Sequence, residues 1–312
     1  MAETNLKSAI LKTLVFFDIF EFPLTPLEIK RYLYGSADGN LETIEAALAE
    51  LTQVKTHQGF YFLASASAEI VARRQERYLA AEKKYRKVKR IGHFLALLPF
   101  VRLIAVCNSL AYSNARPESD IDLFVVSARG KVWTTRFVCL LFLKIFGLRP
   151  TDKTRQDKFC LSFFVDESHL DLSDIALARN DIYFYYWLAQ LYPVYDAGGV
   201  YGRLWQANGW LKDYLPLATP IEPHPRRLIE LGAAGRMIKK TKEAGWNFAW
   251  CEELLRKFQL RHLPAVLKEK LKNKDVGAVI GEGVVKLIAN DRREGYRNEW
   301  VMKVNRLLGE GK

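Results

Sequence analysis

The chain has 312 residues, of which 49% are hydrophobic, 26% charged and 12% aromatic. That balance excludes a disordered, collagen-like or low-complexity chain, and the length allows two or three domains. A formal net charge of +12 favours phosphate-bearing partners, whether nucleotide, nucleic acid or an anionic membrane surface, without choosing among them.

In chain order, residues 6–20 carry apolar side chains at helical spacing (Ile10, Leu11, Leu14, Val15, Phe17). Residues 22–26 break that pattern. Thr25 with Glu28 three positions later, and Pro26 at the first helical position, predicts a second helix running through Ile29, Tyr32 and Leu33 to Gly35. After the polar loop 36–40, residues 41–51 predict a third helix (Ile44, Leu48, Leu51). Residues 54–63 predict a hairpin turning at Gln58-Gly59. Three helices and a hairpin is the order of a winged helix, whose third helix normally enters the major groove. Here that helix presents Glu42, Glu45 and Glu50 and no Lys or Arg, so it faces phosphates badly. A packing or protein-contact role is expected for it, while Lys55, His57 and Gln58 of the hairpin remain candidates for a phosphate contact.

A basic helix follows over residues 73–90, with Arg73, Arg74, Arg77, Lys83, Lys84, Arg86, Lys87, Lys89 and Arg90 set against Glu76 and Glu82. It reads equally as a solvated connector and as an electrostatic arm for nucleic acid or for substrate phosphates. Residues 102–106, 121–126 and 158–165 read as strands. The most hydrophobic run, 132–148, is interrupted by Arg136 and Lys144, which predicts a buried or half-buried helix and not a membrane span. Residues 175–192 and 203–214 read as helices, Pro216, Pro220, Pro223 and Pro225 as a linker, and 226–308 as helical, broken around Gly277, Gly281 and Gly283. The expected division is 1–66 winged-helix-like, 67–98 basic connecting helix, 99–215 α/β domain and 216–312 helical C-terminal region. Residues 1–12 have no apolar run of a leader, so a cytoplasmic protein without a membrane partner is expected. Cys107, Cys139, Cys160 and Cys251 form no Cys-x-x-Cys pair and read as small core residues.

Chemistry concentrates at Ser119-Asp120-Ile121-Asp122. Two residues apart on a strand, Asp120 and Asp122 share one face. Paired carboxylates in a strand are costly unless a cation neutralises them, and Mg²⁺ takes one or two carboxylates, completing its shell with water and phosphate oxygens. The bland alternative is a solvated strand end, or ion pairs with Arg116 and Arg129. Arg136 could pair with Asp120 or reach a phosphate. Trp133, Trp205 and Trp210 are expected in the core.

The string Asn108-Ser109-Leu110-Ala111-Tyr112-Ser113, five further residues, then Ser119-Asp120-Ile121-Asp122-Leu123 resembles the signature of the polymerase-β-like nucleotidyltransferase superfamily, Gly-Ser-x-Ala-x-Gly followed by Ser-Asp-Ile-Asp-Leu. The chain as a whole is similar to a bacterial group of nucleotidyltransferase-domain proteins with an N-terminal winged-helix-like segment. Phe17-Asp18-Ile19-Phe20, Pro23-Leu24-Thr25, 59–63, Trp133-Thr134-Thr135-Arg136 and Asn290-Asp291-Arg292-Arg293 carry that wider likeness. The resemblance implies an α/β (α+β) fold, a nucleotidyltransferase-type mixed sheet with helices. It implies that Asn108, Ser109 and Ser119, with neighbouring N–H groups, hold a nucleoside triphosphate, and that Asp120 and Asp122 are the catalytic metal ligands for Mg²⁺. The implied reaction is Mg²⁺-dependent transfer of a nucleoside monophosphate to an unknown acceptor. The alternative is a catalytically degraded fold acting as a nucleotide- or nucleic-acid-binding regulator or scaffold.

The sequence departs from that pattern in two places. Asn108 and Ser113 stand where glycines are expected; Asn tolerates positive φ, but its side chain crowds an approaching phosphate. The expected third carboxylate is also missing, since Cys160 or Ser162 occupies its place on the strand 158–165. Asp166 shares their face by parity but lies about 13 Å beyond Ser162, and Asp157 has the wrong parity. Loss of an acid–base group typically costs about 10²–10⁴-fold in rate.

Overall fold

The computed structural model describes residues 2–36, 39–151, 153–246 and 248–309. Met1, Ala37 and Asp38, which figure in the leader and loop expectations, lie outside the described residues. The chain opens with helices α1 (Ala2–Ile19), α2 (Pro26–Arg31) and α3 (Leu41–Glu50), then the hairpin β1 (Val54–His57) and β2 (Phe60–Leu63). The starts of α2 and α3 follow their local chemistry. Thr25 and Glu28 form the reciprocal capping box with Pro26 in the first turn, and the Asn40 side chain accepts from the Thr43 N–H at 2.9 Å. Gln58 and Gly59 both have positive φ (51° and 78°), as a two-residue turn matched to the twist of a hairpin requires.

Helix α4 (Glu69–Ala96) carries the basic run, and several of its cations face inward. Arg73 and Arg77 pair with Glu21, and Arg74 pairs with Glu28. Lys84, 2% exposed, donates to the carbonyls of Pro117 and Ser119 and to Asp157 at 2.7–3.0 Å. Lys83, Arg86, Lys89 and Arg90 stay exposed. The helix is therefore partly a clamp on its neighbours and partly a charged surface. Lys84→Ala is expected to lower stability by about 1–3 kcal/mol, read by chemical denaturation, because two carbonyls and a carboxylate lose their cation together.

The remaining elements are β3 (Val101–Val106), α5 (Asn108–Ala111), β4 (Ile121–Ser127), α6 (Val132–Ile145), β5 (Phe159–Asp166), α7 (Ile182–Ala189), β6 (Tyr192–Asp196), α8 (Val200–Ala207), α9 (Ala233–Trp246), α10 (Ala249–Arg261), α11 (Ala265–Lys272), β7 (Ala278–Gly281), β8 (Val284–Leu287) and α12 (Arg293–Leu308). They build a mixed sheet of 6 strands in the order β6-β3-β4-β5-β8-β7. Only β4 and β5 run parallel; the other neighbours are antiparallel. The architecture is mixed α/β, as expected at that level. No described helix is long and apolar enough to cross a membrane.

Three elements differ from the sequence reading. The stretch expected to be helical over 226–308 also contains the hairpin β7–β8, which extends the sheet through β5. Its β-branched Val279, Ile280, Val284 and Val285 flank Gly283 at φ 71°, a strand–turn–strand pattern that the surrounding lysine-rich helices obscured. The helix expected over 175–192 covers only Ile182–Ala189, and Tyr192–Asp196 is instead an edge strand. Pro193 fits there because an edge position has no need of its missing N–H. The helix expected over 203–214 divides into α8 and the short 3₁₀ turn Gly209–Asp213.

The sheet buries both faces. Leu103, Ala105, Phe124, Val126, Phe163 and Val165 pack with α1, α2, α3, α7, α8 and α12. Ile104, Val106, Leu123, Val125, Leu161 and Phe164 pack against α4, α6 and α11. Membership on β5 switches parity between Leu161 and Phe163. The β4–β5 register explains this: Asp122 faces Cys160 but Phe124 faces Phe163, so β5 holds one extra residue.

Candidate functional site

Asp120 stands just before β4 and Asp122 within it, on the face that looks toward α1, α7 and α12. Register places Cys160 of β5 opposite Asp122. The ligand-type atoms of Asp120, Asp122 and Cys160 all lie within 4.8 Å of one another. The Cys107 N–H donates to the Asp122 carbonyl at 3.1 Å, joining the entry to α5 to the start of β4. Asn108 bonds the Asp122 carboxylate through its side chain and accepts from the Tyr183 hydroxyl at 3.1 Å. The Cys160 thiol also bonds Asp122, with Ser162 behind it.

These partners do not cancel the cost of enclosing the charge. Burial, then the neighbouring Asp120 carboxylate, raises Asp122 from 3.8 to about 6, against the opposing bonds from Asn108 and Cys160. Burial and then Asp122 push the Cys160 thiol upward, so it stays protonated at neutral pH. The Cys107 thiol is raised for the same first reason.

Asn108 and Ser113, at the two positions where the resembled pattern has glycine, both adopt left-handed backbone, with φ of 58° and 60°. Asn108 therefore does two jobs: it turns the chain and bonds Asp122. Ser109 lines a cavity of about 260 Å³ with Phe16, Phe20, Tyr112 and Gln190. A second cavity of about 160 Å³ reaches Ser162, Lys286, Asn290 and Arg292. The two share Asn108, Tyr183, Trp187 and Tyr296 in their walls. Ser119 is turned away, its hydroxyl donating to the Arg116 carbonyl at 2.9 Å.

Other sequence expectations are corrected by geometry. Asp166 does not share the face of Cys160, because the extra residue in β5 reverses the alternation beyond it. Its carboxylate accepts from Gly130 N–H at 2.8 Å and from the Ser168 N–H and hydroxyl at 2.8 and 2.7 Å, and it contacts His169. Asp157 pairs with Lys84 at 2.7 Å. Arg136 neither pairs with Asp120 nor faces the site; it donates to Gln259 at 2.6 Å on the opposite side of the sheet. Among the described residues, neither Arg116 nor Arg129 pairs with Asp120 or Asp122, and Arg116 instead meets Glu21 at 3.6 Å. Trp133 is buried, and Trp205 and Trp210 pack against the core, as expected.

Tyr183, Trp187, Tyr296 and Lys286 are the wall residues that sequence reasoning missed. The dense aromatic run on α7 was visible, but nothing local says which rings face Asn108. Tyr183 and Tyr296 stack at 5.2 Å across α7 and α12. Lys286 is held by Asp291 at 2.8 Å, and burial, then Arg293, lowers it to about 8. Arg292 lines the smaller cavity. No protein-family model, curated protein or solved structure matches the chain.

Proposed function

We propose that the protein is a nucleotidyltransferase of the polymerase-β-like kind, moving a nucleoside monophosphate from a nucleoside triphosphate to an acceptor hydroxyl with Mg²⁺. The observation that carries this reading is the convergence of Asp120 and Asp122, with Asp122 bonded by Asn108, the left-handed residue that lines both cavities; the carboxylates themselves are not in the cavity walls. The short α5 between antiparallel β3 and β4, with β5 parallel to β4, also supports it.

The residues fit Mg²⁺ through two carboxylates. Asp120 and Asp122 would hold the ion with hard oxygen donors, which suffices when water and phosphate oxygens fill the other positions. Cys160 adds nothing to such a shell, because a protonated thiol is neither anionic nor hard. When bound, the ion supplies charge stabilisation at the transferring phosphoryl group. The chain's own residues do the rest. Asn108 holds the Asp122 carboxylate, Tyr183 holds Asn108, and the aromatic walls exclude water. Arg292 stands at the smaller cavity as a phosphate-directed cation.

Cys160 itself favours a second reading, in which the domain binds nucleotide or nucleic acid without turnover and serves as a regulator or scaffold. Incubation with Mg²⁺ and each α-labelled nucleoside triphosphate separates the two. Label transfer that requires Mg²⁺ and disappears in Asp120→Asn supports the enzyme. Binding without transfer supports the second reading, and no binding sinks both the enzyme and the nucleotide-binding form of the second reading. Cys160→Asp is expected to tighten Mg²⁺ binding about tenfold by adding a carboxylate to the cluster, measured by calorimetry. Unchanged affinity would show that residue 160 does not face the ion.

A further inference from the structure

A continuous run of exposed apolar side chains lies on the face of the sheet that α6 covers, opposite the face that carries Asp122. On α10, Trp250, Leu254 and Phe258 recur at one-turn spacing and are 65%, 55% and 49% exposed. On α6, Leu141 and Ile145 continue from Phe137 in the same way, at 41% and 68%. The two stripes are one surface, because the Phe137 and Phe258 rings meet edge-on at 6.0 Å. Phe248, beside Trp250 at 6.1 Å, extends it toward the α9–α10 turn. Burial elsewhere does not require this exposure. Helix α10 docks on α6 through Glu252, which caps the Trp133 and Thr134 N–H groups, and through Gln259.

The charge around these stripes is mostly positive, with Glu253 and Glu282 as the exposed carboxylates nearby. Residues 132–149 contain Arg136, Lys144 and Arg149 and no Asp or Glu. Lys144, Arg149, Lys257 and Arg261 are exposed. Of the two carboxylates on α10, Glu252 is turned inward onto α6, and Glu253 is held by Arg256 at 2.7 Å and Lys257 at 3.5 Å. A second copy fits poorly, since a two-fold contact would set this cationic rim against itself.

We propose that this face seats on the surface of an anionic lipid bilayer. Tryptophan and phenylalanine lie at headgroup depth, leucine and isoleucine reach the acyl boundary, and the lysines and arginines meet lipid phosphates. This is contact in the plane of the bilayer. The sequence expectation of no membrane partner rested on the lack of a span and of a leader, and neither bears on such contact.

Co-sedimentation of the full chain with phosphatidylcholine vesicles, and with vesicles containing about one-third phosphatidylglycerol, tests the proposal. Pelleting is expected only with the anionic vesicles, weakened by salt as exposed charges are screened. The triple variant Ile145→Ser/Trp250→Ser/Leu254→Ser keeps every charge and is expected to partition about 10- to 100-fold more weakly, with an unchanged circular-dichroism melt. Lys144→Glu/Arg261→Glu is expected to lose the preference for anionic vesicles and guards against misfolding of the triple variant. Equal pelleting of wild type and triple variant would reduce the effect to bulk positive charge and overturn the proposal. No pelleting at low salt would overturn it too, as would a concentration-dependent dimer that the triple variant dissolves without any lipid binding.

Discussion

Asp122→Asn is expected to make the metal-free protein more stable at pH 8, by about 1–2 kcal/mol, while reducing labelled-nucleotide transfer about 10³-fold. The two effects have one cause. Asp122 is raised from 3.8 to about 6, first by burial and then by Asp120. Between those values the folded chain keeps a proton that the unfolded chain has lost. The folded state is therefore favoured by this group at low pH, and that advantage disappears as pH rises through about 6. Above it, the folded protein carries an enclosed charge with an insufficient counter-charge. Asparagine has the same shape and still accepts from Asn108, but has no charge to desolvate. The shift corresponds to about 3 kcal/mol at 1.36 kcal/mol per unit, and water reaching the half-buried side chain reduces it. Urea denaturation at pH 5 and pH 8 reads the sign: the variant's advantage should be about twice as large at pH 8 as at pH 5. Adding Mg²⁺ should then stabilise the wild type more than the variant, because the ion binds the folded state alone. A variant less stable than wild type at pH 8 without metal would mean that Asp122 is structural, and equal stabilisation of both by Mg²⁺ would mean that it holds no ion.

What the sequence made legible was local. Helix starts at Thr25 and Asn40, the Gln58-Gly59 turn and the shared face of Asp120 and Asp122 depend on neighbours within a few residues, and each appears in the fold. The tolerance of asparagine for positive φ anticipated the turn at Asn108, whereas nothing in Ser113 announces its own left-handed backbone. Long-range facts were illegible for a physical reason. The extra residue in β5 is defined only against β4, so strict alternation along 158–165 placed Asp166 on the wrong face. Strands β6, β7 and β8 have five residues or fewer, too short for periodicity to outweigh the helices around them. Tyr183 meets Asn108 across 75 residues of chain, and Arg136 meets Gln259 across 123. Both contacts were set by packing, and for Arg136 the sequence suggested a partner on the wrong side of the sheet. The apolar stripes on α6 and α10 were not located by the sequence, because a hydrophobic helix cannot reveal which of its sides lacks a neighbour.

Arg293→Met is expected to destabilise the chain by about 3–5 kcal/mol. Arg293 is 4% exposed. It donates to Asp181 at 2.7 Å, to Asp291 at 3.0 Å and to the carbonyls of Ile175 and Val276 at 2.9 and 3.2 Å. Asp181 is fully buried and already caps α7 through the Phe184 N–H, with the Leu177 N–H on its other oxygen. Without the guanidinium, that carboxylate keeps two N–H donors but has no cation, whereas Asp291 still has Lys286. Arg293→Lys is expected to recover only part of the loss, since a single ammonium cannot span carboxylates and carbonyls that a planar fork reaches together. The consequence reaches the candidate site. Arg293 and Asp181 tie the start of α12 to the start of α7, and those helices bring Tyr296 and Tyr183 together beside Asn108. Nucleotide binding should therefore weaken in Arg293→Met even at temperatures where the chain remains folded, and more than in the Lys84→Ala variant. A loss below about 1 kcal/mol would mean that water or rearrangement satisfies Asp181 without Arg293.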